Sequence, residues 1–193
     1  SFGHFKVKLT RDRDIFIQLR DRIQIAREAG ADLFISVHAD SIKNKKISGP
    51  SVYTLSENAS DKEAAALADK ENKADLIAGI DLTHNSQEVA NILIDLAQRD
   101  AMNQSARFAS LLVREMEKRT KVLRNTHRFA GFAVLKAPDV PSVLLELGFL
   151  SNRRDERALM NGGYRKKLAI GVARAVNTYF QRVEQAARRA RPS

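Results

Sequence analysis

The stretch Leu33-Phe34-Ile35-Ser36-Val37-His38 decides how this chain is read. It is a short apolar run bounded by turn-forming residues, the pattern of a strand buried on both faces, and such strands belong to parallel sheets. Immediately before it, Ile17 to Ala29 follows a helical period, with Leu19, Ile23 and Ala26 on one stripe. Gly30 stands at the C′ position, where a helix ends in a left-handed residue. A helix that feeds directly into a buried strand points to an α/β architecture.

Working outward, the alternation recurs. Phe5-Lys6-Val7-Lys8-Leu9 alternates apolar and polar and predicts a half-buried strand. After a loop rich in Lys, Asn, Ser and Gly that ends at Pro50, Ser51 to Leu55 predicts another. Ser60-Asp61-Lys62-Glu63 has the capping-box pattern, so a helix is expected from there to about Ala78, stopped by Gly79. Ser86 to Lys118 is strongly helical, with a break expected near Asp100–Asn103. Phe132 to Leu135 and Val143 to Leu147 read as strands on either side of Pro138 and Pro141. Asn152 is the expected N-cap of a helix through Met160, Gly162-Gly163 punctuates, and a last helix covers Arg165 to Ala187. The expected fold is a single α/β domain over 1–193. Its sheet is mixed, largely parallel and twisted, flanked by helices, with an inserted helical segment at 56–100 and a basic tail at 188–193.

Composition limits what such a domain can do. With 193 residues and 44% of them hydrophobic, one substantial core forms and wholesale disorder is excluded. The chain has no cysteine, which removes disulfides, thiolate zinc sites, Cys nucleophiles and iron–sulfur clusters together. No apolar run approaches the roughly 18 residues a membrane span needs. No secretory leader opens the chain. The net charge of +10 raises three partners: nucleic acid, a membrane surface or an anionic polymer. It is unevenly spread, at +4 over residues 1–50, −5 over 51–118, +3 over 119–152 and +8 over 153–193. Most of the excess decorates the last helix and its tail, Arg182 to Arg191, which reads as a solvated face rather than a recognition element, so no specific nucleic-acid partner is expected.

Three polar residues sit where apolar ones are expected. His38 ends the first buried run, at the C-terminal edge of a strand, where open α/β sheets place their ligand sites. A neutral imidazole there can ligate zinc, with Asp40 and Ser41 placed to orient it; a hydrogen-bonded core histidine is the alternative. Glu146 lies inside Val143-Leu144-Leu145-Glu146-Leu147-Gly148-Phe149-Leu150. A carboxylate in such a run is costly unless paired, metal-bound or protonated, and a raised pKa suits a general acid/base; the alternative is a strand-end Glu turned to solvent. Glu71 shares a helical arc with Ala64, Leu67, Ala74 and Ala78, in the middle of an apolar stripe, unless it is simply a solvated neighbour of it. There is no GxGxxG or P-loop, no Gly-x-Ser-x-Gly elbow and no HExxH. His4, His84 and His127 have no ligand spacing to one another and read as surface residues.

These pieces resemble a family. Leu9-Thr10-Arg11-Asp12, Leu19-Arg20-Asp21-Arg22 and Ala26 through Asp40 are similar to the middle of the zinc-dependent N-acetylmuramoyl-L-alanine amidases. Ala130-Gly131-Phe132-Ala133-Val134-Leu135-Lys136, followed by Pro141 through Asn152, resembles their C-terminal catalytic signature. The likeness covers roughly residues 5–180. It implies zinc-dependent hydrolysis of the amide between N-acetylmuramic acid and the first L-Ala of the peptidoglycan stem. In that reading His38 is a zinc ligand and Glu146 the catalytic carboxylate.

The stretch between His38 and Gly131 is similar to the cell-division subgroup. There an inserted helical segment blocks the zinc until a LytM-type activator withdraws it. Ala68-Asp69-Lys70-Glu71-Asn72 matches the part that places a carboxylate on the metal, which makes Glu71 an inhibitory ligand and 56–100 an autoinhibitory segment. The resemblance implies a monomeric periplasmic enzyme of a Gram-negative bacterium, acting in daughter-cell separation. It also implies two further zinc ligands, a His and a Glu, ahead of Ser1, so the chain is expected to be an N-terminally shortened catalytic domain; Gly3-His4 is not assigned to the metal. A non-catalytic, peptidoglycan-binding or regulatory remnant of the fold is the alternative function.

Overall fold

The computed structural model describes residues 5–77 and 92–189. The elements run α1 (Leu19–Glu28), β1 (Phe34–His38), β2 (Ser51–Leu55), α2 (Lys62–Asn72), α3 (Ala74–Ile77), α4 (Ile92–Glu117), β3 (His127–Ala130), β4 (Ser142–Glu146), α5 (Arg153–Met160) and α6 (Gly162–Arg189). The four strands form one sheet in the order β1-β4-β2-β3. The β1/β4 and β2/β3 pairs are parallel and the central β2/β4 pair is antiparallel. This is the mixed, helix-flanked sheet expected.

Alternation along the strands sorts the core into two layers. Phe34, Tyr53 and Leu144 face α1 and α2, where Leu19, Ala26, Ala64, Leu67 and Ala68 cover them. Val52, Val143 and Leu145 face the other way, onto Phe108, Leu112 and Met116 of α4 and Leu168, Ala175 and Tyr179 of α6. Because side chains alternate with period two, Ser36 and His38 share the face of Phe34, and Glu146 shares the face of Leu144. The mixed topology also gathers loops. The C-terminal ends of β1 and β4 and the N-terminal ends of β2 and β3 lie at one edge of the sheet, so segments 39–50, 119–126 and 147–152 meet there.

Several local expectations shift. Phe5–Leu9 pairs with no strand among the described residues; Val7 and Leu9 stand exposed, and Phe5 rests on Phe180 with ring centroids 5.3 Å apart. Alternation signals a half-buried surface, but a strand forms only where a neighbour takes its backbone hydrogen bonds. The strand expected at Phe132–Leu135 lies earlier, at His127–Ala130, and Ala133–Leu135 is a single 3₁₀ turn. The helix from Ser60 is capped one residue later, by the Asp61 side chain accepting from the Ala64 N–H at 2.9 Å. It ends at Asn72 and restarts at Ala74, so Ala74 does not continue one unbroken stripe. The break expected at Asp100–Asn103 is absent: α4 runs through it, and Ser105 Oγ, bonded back to Ala101 O at 2.7 Å, accepts from Ser142 N–H and ties the helix to β4. Asn152 caps α5 as expected. Ala78, Gly79, His4, His84, Ser86 and the tail from Ala190 lie outside the described residues.

Candidate metal centre

His38 and Glu146 are direct register partners across the parallel β1/β4 pair, on the face covered by α2. Glu146 is fully buried. Its Oε2 accepts the Asp40 backbone N–H at 3.1 Å, while Oε1 has no hydrogen-bond partner among the described residues. Burial, reinforced by the nearby charge of Asp40, pushes its carboxyl up to about 8.

Glu71 reaches the same spot from the last turn of α2. Its Oε2 lies 3.1 Å from His38 Nδ1, and Asp40 Oδ2 lies 3.4 Å from the same nitrogen. The other ring nitrogen, Nε2, is 2.8 Å from Ser36 Oγ. Burial works against a charged imidazole here. The hydrogen bonds to Asp40 and Glu71 and the charges of Glu71 and Glu146 outweigh it and hold His38 at about 9. Asp40 is lowered despite its burial, because His38 and Lys70 both favour its charged form. Lys70 Nζ bridges Asp40 Oδ1 at 2.5 Å and Ser41 O at 3.2 Å.

The donor set suits a metal ion. One atom each from His38, Asp40 and Glu71 lie within 4.8 Å of one another. Ligand atoms roughly 2.0–2.1 Å from a tetrahedral zinc sit about 3.3 Å apart, close to the 3.1 and 3.4 Å separations at Nδ1. Glu146 Oε1 is buried without a hydrogen-bond partner among the described residues, and Asp40 Oδ2, also buried, has only the long 3.4 Å approach of His38 Nδ1 there. A buried carboxylate oxygen left in that state calls for a cation or a proton.

The helix that delivers Glu71 is pinned at several points. At its start, Asp61 accepts two hydrogen bonds from the Arg128 guanidinium, one from Nε at 2.8 Å and one from Nη2. Arg128 is almost fully buried and also reaches Tyr53 Oη at 3.3 Å. At the far end, Asn72 donates to Gly131 O at 2.8 Å and accepts from Ala133 N–H at 2.7 Å. Beyond it, buried Asp75 accepts the Leu19 N–H at 3.1 Å at the start of α1.

All three singled-out residues, His38, Glu71 and Glu146, therefore meet at one point. Asp40, expected only to orient the ring, also offers a ligand atom. The serine that orients the imidazole is Ser36, two residues before it on the same face, whereas Ser41 engages only through its carbonyl. Period-two spacing was the available signal for Ser36. Nothing local marked Lys70, Asp61 or Arg128. His127 is not simply a surface residue: it is half-buried, with Nε2 3.0 Å from Thr54 Oγ1 and its ring against Phe129, and burial lowers its pKa.

Comparison with known proteins places the chain in context. The N-acetylmuramoyl-L-alanine amidase family matches residues 2–178. N-acetylmuramoyl-L-alanine amidase AmiA of Escherichia coli is 42% identical over 175 residues, 90% of this chain and 60% of that protein. AmiA of Salmonella typhimurium is 40% identical over 174 residues, again 60% of its length. The chain thus spans about 60% of the length of these relatives. Among solved structures, amidase AmiC2 of Nostoc punctiforme superposes with a TM-score of 0.61 at 23% identity, covering 90% of this chain and 72% of the other. Ami1 of Mycobacterium smegmatis gives 0.60 at 17%, covering 88% and 64%. These two likenesses establish the fold.

Proposed function

The chain belongs to the N-acetylmuramoyl-L-alanine amidase family, and we propose that it hydrolyses the amide between N-acetylmuramic acid and L-alanine in peptidoglycan, with zinc, and is autoinhibited by α2. One observation carries the reading: His38 and Glu146 are paired in register while Glu71 occupies the space beside them, 3.1 Å from the His38 nitrogen.

His38, fixed by Ser36, is the zinc ligand, and Glu71 is the ligand that stands in the way of substrate. A zinc ion held by His38 would supply Lewis-acid chemistry at this point, polarising the scissile carbonyl and lowering the pKa of the attacking water. Glu146 takes the proton of that water on its free Oε1 and passes it to the departing L-alanine nitrogen. The Asp40 N–H holds the carboxylate in position, and burial raises its proton affinity, as suits a general acid/base. Withdrawal of α2 by an activator of the LytM type removes Glu71 and opens the face. The setting is the periplasm of a Gram-negative bacterium, the role daughter-cell separation, and the acting form a monomer. Among the described residues no helix is long and apolar enough to cross a membrane.

The test is release of stem peptides from purified sacculi by the zinc-loaded protein, read by mass spectrometry. Zinc retention with loss of release in Glu146→Gln is expected. Zinc binding without release from any variant would favour the non-catalytic wall-binding alternative.

A further inference from the structure

At the strand-end edge of the sheet lies a groove of about 980 Å³, set apart from the metal centre. Three segments wall it: 45–48, 120–124 and 151–158. They are locked together. Asp155, buried, accepts from Ser48 Oγ at 2.6 Å, Gly49 N–H at 2.8 Å and Phe149 N–H at 2.9 Å. Asn152 Nδ2 donates to Lys45 O at 2.8 Å, and Leu123 N–H donates to Pro50 O at 3.0 Å. Gly49 has φ +95°, and a Cβ there would sit 2.7 Å from Lys121 O, so two of the walls touch backbone to backbone.

The lining is cationic: Lys45, Lys46, Lys121, Arg124, Arg153 and Arg154. All six are exposed, and none makes an ion pair among the described residues. The one acid in the lining, Asp155, is spent on its three donors. Six unpaired cations on a rigid concave wall repel one another, and that arrangement fits an extended anionic ligand.

We propose that this groove binds the carboxylate-bearing peptide stems of the peptidoglycan strand being cut. The proposal rests on the amidase reading and names where the peptide part of that substrate is held. Two features favour peptide carboxylates over nucleic acid. The groove is continuous with the candidate metal centre along the chain: after β1 the chain runs from His38 through Asp40 into the 45–48 wall, and after β4 it runs from Glu146 into the 151–158 wall. Leu150 N–H to Asp40 O at 2.8 Å and Ile42 N–H to Ser151 Oγ at 3.1 Å join the two exits. The lining also offers no stacking platform for bases; its aromatic residue is Tyr164, whose hydroxyl lies 3.2 Å from Thr120 Oγ1.

The test is cosedimentation of the full chain with purified sacculi, intact or with their carboxylates amidated by a carbodiimide, alongside binding to double-stranded DNA. The variant carries Lys45→Glu, Lys121→Glu, Arg153→Glu and Arg154→Glu, all at exposed positions; a matched melting curve controls for folding, and the corresponding Gln variant controls for reversal. At about 0.1 M salt the reversed variant is expected to bind intact sacculi at least about tenfold more weakly, the Gln variant to lie between, and amidation to abolish the difference. Binding to intact sacculi within twofold of wild type would overturn the proposal, as would an equal loss on amidated sacculi. So would loss of DNA binding alone. Because binding is read without turnover, the two readings fail separately. Charge-dependent binding without stem-peptide release counts against the amidase, and release with charge-insensitive binding counts against the groove.

Discussion

Glu146 concentrates the physical argument at the residue scale. A carboxylate fully buried in a central strand is destabilising unless its proton has a use, and its free Oε1 is where that proton would go. Glu146→Gln keeps the shape and the acceptor for the Asp40 N–H but cannot take a proton. It is expected to lower stem-peptide release by about 10²–10⁴-fold with zinc content unchanged, checked by single-time-point release and metal analysis on one preparation. His38→Ala, by contrast, should lose both zinc and activity. The sequence made these two residues legible because each interrupts an apolar run. It made Ser36 legible only through period two. That Asp40 offers a ligand atom, and that Lys70 pairs with it, was obscure because both depend on which helix arrives at the strand end, and that is a tertiary fact.

α2 is the element on which the proposed autoinhibition turns. Its N-terminus is held by Asp61, which accepts the Ala64 N–H as the cap and pairs with Arg128. Burial acts to raise the Asp61 pKa, but the Arg128 hydrogen bonds, with the Ala64 N–H and Ser60, hold it below the usual carboxylate range. A carboxyl lower in the folded than in the unfolded chain contributes stability that is full above the unfolded value, about 3.9, and is lost as pH falls through the folded one. Asp61→Ala should therefore cost roughly 2–4 kcal/mol near neutrality, from a lost cap and a buried guanidinium left without its partner. It should also flatten the acid limb of the stability curve; urea midpoints between pH 3 and 7 check both. The helices and the β1, β2 and β4 strands were readable from periodicity and caps. Phe5–Leu9 was misplaced because alternation reports a half-buried surface, and whether it becomes a strand depends on a neighbour far away in sequence; Phe132–Leu135 was misplaced because a short continuous apolar run reports burial without fixing the backbone as a strand.

Among the described residues, one edge of the mixed sheet gathers the candidate metal centre, the helix proposed to plug it and the basic groove. Gly49 joins the groove walls, so Gly49→Ala should destabilise the protein by at least about 1–3 kcal/mol, since it adds strain at positive φ to a clash with the Lys121 carbonyl. A thermal melt reads this directly. The net charge of +10 takes its place in this picture as well. It does not mark one polyanion-binding helix: the segment proposed as the plug is acidic, and cations without an ion pair among the described residues line a groove. The central claim is that Glu71 blocks a competent site, and the rate of stem-peptide release from sacculi by Glu71→Ala against wild type, both zinc-loaded and without activator, tests it most directly. A higher basal rate, with zinc retained, is predicted for Glu71→Ala in the longer protein that supplies the two further ligands implied by the family resemblance; an unchanged or lower rate in a folded, zinc-loaded variant would contradict the claim.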